Sequence, residues 1–130
     1  MSLLRIDTTP PANGVQRVAV GGRLDTHTYA QLDEALAPIL ANGAITSLVL
    51  DLAGLDYISS AGIRSVFKAR KALSAHAGKV LVANPQPQIK KVFDMVKAVP
   101  LNEIFTSVAE ADAYLDAMQR KVIRGDEDDD

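Results

Sequence analysis

Apolar residues along the chain change repeatedly from strand spacing to helical spacing, and Leu48–Leu73 is the central case. Leu48–Leu52 is a short, mostly apolar, β-favouring run. After Ser59 the apolar residues recur every three or four positions, and they share one stripe with Arg70: Ile63, Val66, Phe67 and Leu73. We expect a buried strand that leads into a helix, with Asp56–Gly62 as the connecting loop.

The rest of the chain alternates between the same two signals. The predicted strands are Leu3–Asp7, Val15–Val20, Leu48–Leu52, Lys79–Ala83 and a weakly signalled one at Glu103–Phe105. The predicted helices have apolar stripes over Tyr29–Leu40, Ile63–Leu73, Ile89–Val96 and Ala111–Met118. We expect the first two strands to pair as a hairpin, with Gly21-Gly22 ending the second.

The ends of the helices have their own signals. Thr26 is the predicted N-cap of the first helix, and Ser107 opens a capping box for the last. Pro38 lies inside the first apolar stripe, where it removes an N–H donor and predicts a kink or an early stop. The third helix is expected to begin near Pro87 and to end at Pro100.

This alternation predicts an α/β fold with a mixed, mostly parallel sheet and covering helices. Loops at the carboxyl ends of such strands lie along one edge, where ligands and partners bind. We therefore expect three loops to form one face: Asp25–Thr28, Ser59–Gly62 and Asn84–Pro87.

Composition excludes several classes of protein. At 130 residues and 48% hydrophobic content, a single domain with its own core is expected. The absence of cysteine excludes disulfides, cysteine-ligated metals and a cysteine nucleophile. No signal peptide or membrane-spanning run is evident, so we expect a cytoplasmic protein.

Charge is unevenly distributed. The net charge is -2, but five of the 16 acidic residues form the run Asp126–Asp130, so residues 1–125 carry 14 basic and 11 acidic groups. Residues 1–125 are too weakly basic to form the positively charged surface that nucleic-acid binding requires. We expect a domain over residues 1–121 and an acidic, disordered tail over residues 122–130.

Ser59 and Ser60 place two hydroxyls at the start of the central helix. There the first N–H groups lack intrahelical partners, so a serine can cap the helix or receive a phosphate that the helix dipole would hold. Asp25 could form a turn with its own backbone or contact a partner. From the residues alone, the two roles of the serines and the two roles of Asp25 all stay open.

An enzyme is the weaker hypothesis. Asp25, His27 and Ser60 could imitate a nucleophilic triad, but the chain has no Gly-x-Ser-x-Gly elbow. It also has no Gly-rich phosphate loop with a lysine and no histidine pair at metal-ligand spacing. We predict no catalytic activity, no cofactor and no metal site.

Three blocks of residues resemble the STAS domains of anti-sigma-factor antagonists: Gly22–Thr28, Leu48–Gly62 with its Ile58–Gly62 core, and Pro87–Met95. They occur in the right order and at the right separations across about residues 3–118. The resemblance implies a single STAS-like domain with a sheet of four to five strands and about four helices. In that family the serine two residues before the loop glycine is phosphorylated, which corresponds to Ser60 before Gly62.

The resemblance also implies a function. The unphosphorylated protein would bind an anti-sigma factor that is also a serine kinase and so release a sigma factor, phosphorylation would abolish binding, and a serine phosphatase would be a further partner. The expected partner-binding residues are Asp25, Thr26, His27, Ser59, Ser60, Ala61, Gly62, Arg64 and Asn84. Compared with the best-known antagonists, Ser59 replaces an aspartate and Ala61 replaces a hydroxyl residue. Arg64 adds a positive charge one turn after the acceptor.

A second function is compatible with the same resemblance. STAS modules also act as accessory subunits of lipid or anion transport systems, or as scaffolds in signalling assemblies, without control by phosphorylation. The Ser60-Ala61-Gly62 loop with Asp25 favours the phosphorylation switch. The absent aspartate at position 59 favours the accessory module.

Overall fold

A computed structural model of the chain describes residues 4–98, 105 and 107–125. In this part of the chain it contains five strands and four helices, in the order β1 Leu4–Thr8, β2 Val15–Leu24, α1 Tyr29–Ala41, β3 Ser47–Asp51, β4 Leu55–Ile58, α2 Ser60–Ser74, β5 Lys79–Ala83, α3 Pro87–Ala98 and α4 Val108–Arg124. The predicted α/β class is confirmed.

Strand β2 runs through the middle of a mixed sheet. β1 pairs with it antiparallel, which confirms the predicted hairpin. On the other side β3 pairs parallel to the first half of β2, and β5 pairs parallel to β3. The sheet order is therefore β1-β2-β3-β5, with β4 paired to β2 off this path.

The prediction that Gly21-Gly22 ends the second strand is wrong, because β2 continues to Leu24. Gly22 has a φ of 93°, which glycine adopts without the steric penalty of a Cβ atom. The register with β4 shifts between Gly22 and Arg23. Because Gly22 pairs with Leu55 and Arg23 with Tyr57, the extra residue of this bulge is Asp56 in β4, where the end of β2 gains a new neighbour.

That neighbour, β4, takes up Asp56–Ile58 of the predicted connecting loop together with the preceding Leu55, so the loop prediction is wrong there. Leu55, Tyr57 and Ile58 are buried whereas Asp56 is exposed, a pattern too short to identify a strand from the sequence. β1 occupies the opposite edge of β2 at Gly22, so β4 lies on the same edge as β3. Consequently β4, and not β3, leads directly into α2.

Two glutamine side chains bond the outer edge of β4. Gln88 of α3 donates through Nε2 to the Asp56 carbonyl at 3.0 Å. Gln119 of α4 donates to the Ile58 carbonyl at 2.8 Å and accepts from the Ile58 N–H at 3.0 Å. Both glutamines are buried. They satisfy backbone groups that would otherwise cost about 1–3 kcal/mol each if buried without a partner.

The core lies between the sheet and the helices. Its most deeply buried members come from every layer and include Leu24, Leu32, Leu36, Leu48, Leu50, Leu55, Ile58, Ile63, Leu73, Ile89, Val92 and Leu115. Most members of the predicted apolar stripes are therefore buried. Tyr29, Phe67 and Tyr114, which lie at the margins of their stripes, are more than one third exposed.

Helix ends were predicted with mixed success. Thr26 is not the N-cap of α1, because residues 25–28 form a turn and Thr28 occupies that position. The Ser107 cap is confirmed, since its side chain accepts from the Glu110 N–H at 3.1 Å. α1 extends three residues beyond Pro38, and α4 extends to Arg124, three residues beyond the expected domain boundary. The predicted stop at Pro100 lies outside the described residues, as does all of the weak strand except Phe105.

We predict that Gln119→Ala destabilises the fold by about 2–4 kcal/mol, because it leaves the N–H and carbonyl of Ile58 buried without their side-chain partner. The measurement is the free energy of unfolding from urea denaturation. Lys121→Ala, at an exposed position on the same helix, is the control and should change stability by less than about 0.5 kcal/mol. Equal effects of the two substitutions would contradict this role of Gln119.

Candidate functional site

The β4–α2 loop is attached to the end of β2. The Ser59 N–H donates to the Leu24 carbonyl at 2.9 Å, and Leu24 pairs with Ile58 in the sheet. The Asp25–Thr28 turn begins at the next residue. Two of the three predicted loops are therefore adjacent at one edge of the sheet.

Gly62 permits this close approach. A Cβ atom at this position would lie 2.7 Å from Leu24 Cγ, 2.8 Å from Ile58 Cγ1 and 2.9 Å from the Leu24 carbonyl oxygen. Such contacts are far shorter than van der Waals separation, and one of them is to backbone. A larger residue would separate α2 from the end of β2, so the glycine fixes the position of the helix start.

Ser60 is the first residue of α2 and is buried, with only 7% of its surface exposed. Its hydroxyl donates to Oδ1 of Asp112 at 2.7 Å, and its backbone N–H donates to the same oxygen at 3.0 Å. Asp112 belongs to α4. The carboxylate that serves the start of α2 therefore comes from a different helix.

Ser59 occupies the N-cap position, with extended backbone angles that suit a cap. Its side chain nevertheless makes no capping bond. The Ser59 Oγ atom is buried and has no hydrogen-bond partner. Of the two roles left open for these serines, the structure does not show the helix cap, because Asp112 receives the first N–H of the helix.

Asp25 shapes its own turn. Its Oδ1 accepts from the His27 N–H at 2.9 Å and from the Thr28 hydroxyl at 3.2 Å, and its own N–H donates to the Thr28 hydroxyl oxygen at 2.9 Å. Asp25 is buried, whereas Thr26 and His27 are exposed at the tip of the turn. The structure therefore places Asp25 as the turn-former and leaves its two neighbours facing outward.

The third predicted loop is joined to the end of β3 and to the β3–β4 turn. Asn84 has a φ of 54°, and its Nδ2 donates to Asp51 at the end of β3 at 3.3 Å. The N–H of Ala53 donates to Asp51, and this bond, together with Asn84 and Arg17, lowers the pKa of the Asp51 carboxyl despite partial burial. Gln86 joins the loop to the β3–β4 turn by donating to the Ala53 carbonyl at 2.9 Å.

An aromatic ring and several charges surround the end of β4. The Arg23 guanidinium lies 4.1 Å from the centre of the Tyr57 ring and 3.6 Å from a carboxylate oxygen of Asp25. Burial raises the pKa of the Tyr57 hydroxyl, and the negative charges of Asp116, Asp112 and Asp25 raise it further, whereas Arg23 lowers it. Three carboxylates and one guanidinium therefore act on the Tyr57 hydroxyl.

The remaining predicted site residues divide by exposure. Ala61 is buried at the start of α2, and Arg64 is exposed one turn further along the same helix.

The Ser60 hydroxyl is bonded to Asp112 and not to a histidine, unlike the arrangement in a nucleophilic triad. Within the residues that the structure describes, no group of three His, Cys, Asp or Glu side chains is placed to hold a metal ion. No helix in the described part of the chain is long and apolar enough to span a membrane.

Sequence reasoning missed Asp112 and Gln119. Gln119 had a signal, because it lies eight residues after Ala111 and four after Leu115, on the buried stripe of α4, where a polar residue needs a partner. Asp112 had none, since acidic residues are common near the start of any helix.

We predict that Gly62→Ala destabilises the fold by about 1–3 kcal/mol through overpacking, although alanine is the better helix former. Gly43→Ala is the matched control, because a Cβ there meets nothing within 4 Å, and it should be neutral or slightly stabilising. Thermal and urea unfolding of the two variants measure the difference. A Gly62→Ala protein as stable as wild type would contradict the close packing described above.

Two proteins with related sequences are named as anti-sigma factor antagonists. The anti-sigma F factor antagonist of Lysinibacillus sphaericus is 32% identical over 72 residues, which cover 55% of this chain and 62% of that protein. This chain therefore matches less than two thirds of that relative. BtrV of Bordetella bronchiseptica, named a candidate anti-sigma factor antagonist, is 32% identical over 88 residues, or 68% of this chain and 75% of BtrV.

The fold is similar to two solved structures of the anti-sigma factor antagonist SpoIIAA. The unphosphorylated form has a TM-score of 0.61 over 70% of this chain and 83% of SpoIIAA, and the phosphorylated form 0.60 over 70% and 82%, both at 24% identity. The STAS domain family model matches residues 9–111. The mixed sheet, its covering helices and this match agree, and the chain belongs to the STAS domain family.

Proposed function

We propose that this chain is a cytoplasmic anti-sigma-factor antagonist. Its unphosphorylated form binds an anti-sigma factor with serine kinase activity and so releases a sigma factor, and phosphorylation of Ser60 abolishes that binding. A serine phosphatase restores the binding form. The position of Ser60 carries this proposal: it begins α2 directly beside the Asp25–Thr28 turn. The names of the two relatives support the proposal.

The face around Ser60 has two kinds of residue. Thr26, His27 and Arg64 are exposed and provide the direct contacts with a partner. Asp25 and Gly62 are buried and act by holding the two loops in place. Asn84 bonds to Asp51 at the end of β3, so its contribution lies at the margin of this face.

Phosphorylation changes this face through charge. A bond forms between Ser60 Oγ and the γ-phosphorus of ATP, the bond from that phosphorus to the bridging oxygen breaks, ADP leaves, and the hydroxyl proton passes to water. The product carries about -1.5 to -2 charges at pH 7. A partner packed against the loop must then bury a dianion, which costs several kcal/mol and weakens binding by on the order of a thousandfold.

The proposal assigns the chain no catalytic role, cofactor, metal or nucleic-acid partner of its own. Its effect on transcription passes through the anti-sigma factor. The alternative, an accessory module of a transport system or a signalling scaffold, differs in that the charge at position 60 does not control binding. One experiment separates the two functions.

We predict that affinity capture from the source cells retains a kinase-like ATPase on the wild-type chain and loses it on Ser60→Asp. Ser60→Asn matches the aspartate in shape without its charge and should keep the partner within about tenfold of wild type. Ser74→Asp adds the same charge at the far, exposed end of α2 and should bind as wild type. Mass spectrometry of the bound fractions identifies the partner.

Two further measurements complete the test. Circular dichroism and thermal unfolding establish that each bait is folded before capture. Incubation of the wild-type chain with the captured ATPase and ATP should then place one phosphoryl group on Ser60. Retention of the same transporter or scaffold subunits by all four baits would reject the phosphorylation switch and favour the accessory module.

A further inference from the structure

The contact between Ser60 and Asp112 joins the predicted phosphoacceptor to α4. One carboxylate oxygen accepts both the Ser60 hydroxyl, at 2.7 Å, and the Ser60 N–H, at 3.0 Å. A hydroxyl and a backbone N–H are both needed to hold the carboxylate in this way. Any change that removes the hydroxyl proton therefore weakens the docking of α4 at this point.

Ser59 provides an unused alternative. Its backbone already has N-cap angles, and its hydroxyl is buried without a partner one residue before the helix. Rotation about one side-chain bond could direct an N-cap hydroxyl to the N–H groups two or three residues later, here those of Ala61 and Gly62. The start of α2 thus has two possible capping groups, one from α4 that is in use and one from its own loop that is not.

We propose that Asp112 is a releasable clamp: it holds the first turns of α4 on the unphosphorylated loop, a phosphoryl group on Ser60 expels it, and the Ser59 hydroxyl then takes over the cap. This inference rests on the proposed function for the identity of the modification. It adds a conformational consequence, since a charge added on α2 would be transmitted to α4.

The chemistry at the contact supports release. The phosphorylated oxygen of Ser60 has no proton to donate, so the bond at 2.7 Å is lost. The dianion would then stand beside the Asp112 carboxylate, whose oxygen is the present partner of the Ser60 hydroxyl. Arg23 already contacts Asp25 and the Tyr57 ring. Like charges held this close repel each other, and the repulsion is stronger in a half-buried contact than in bulk water.

The release would be confined to part of α4. Gln119 keeps its bonds to the Ile58 N–H and carbonyl, and Leu115 and Met118 remain in the core. Only the turns around Asp112 lose their attachment to the loop. We therefore expect faster exchange for the amides of residues 111–116, because their helical acceptors are the carbonyls of residues 107–112, and continued protection for residues 117–122.

Hydrogen exchange on the whole chain tests the clamp, with phosphoserine encoded genetically at position 60. Phosphorylation should raise amide exchange over residues 111–116 by about tenfold or more, and over residues 117–122 by less than about threefold. Asp112→Asn removes the repelled charge and should reduce the effect on residues 111–116 to less than about threefold. Asp116→Asn, one turn along and paired with Arg120, is the matched control and should leave the tenfold effect intact.

A second variant tests the alternative cap. Ser59→Ala should not lower the melting temperature of the unphosphorylated chain, since it removes a hydroxyl without a partner. In the phosphorylated chain the same substitution should lower it by about 3–5 °C, the value of one lost cap in a domain of this size. An equal effect of Ser59→Ala in both forms would reject the exchange of caps.

These outcomes are separable from the proposed function, because no partner or kinase is needed for either measurement. Unchanged exchange in a phosphorylated chain that loses its captured partner would reject the clamp and leave the function standing. Raised exchange over residues 111–116, with capture insensitive to the charge at position 60, would support the clamp and reject the function.

Discussion

The outer edge of β4 is the constraint on which the site depends. This short strand is buried, and within the described residues its one strand neighbour is β2. Its remaining backbone groups must find partners, because burying them without hydrogen bonds would cost more than four residues of strand can contribute. Gln88 and Gln119 meet that requirement, and in doing so they fix α3 and α4 relative to the strand.

The position of Ser60 follows from this arrangement. β4 ends at Ile58, so the start of α2 is set by the same strand to which Gln119 bonds. Gly62 allows the helix to approach Leu24 at the end of β2. Gln119 holds α4 against β4, and Asp112 lies about two helical turns before Gln119 on the same helix. A buried hydrogen bond in the fold therefore helps to determine which group faces the Ser60 hydroxyl.

The site combines a buried serine, the proposed phosphoacceptor, with exposed neighbours. Ser60 is buried and bonded, whereas Thr26, His27 and Arg64 face outward around it. A partner can therefore bind the exposed residues while the hydroxyl stays paired with Asp112. A kinase that modifies Ser60 must first displace that carboxylate. In the proposed modified state a dianion would stand beside the Asp112 carboxylate, and a binding switch requires such an electrostatic difference between two states.

The sequence by itself determined the α/β class, the positions of β3, β5 and α2, and the serine-containing loop before Gly62. These features depend on local periodicity, on turn residues and on capping patterns within a few positions of each other. Only the tertiary structure decided that residues 55–58 form a strand and that Asp112 and Gln119 serve it and the loop. Their partners are 52 and 61 residues away along the chain. No local pattern encodes such a contact, because it arises only when α4 packs against an edge whose backbone groups are left unpaired by the sheet.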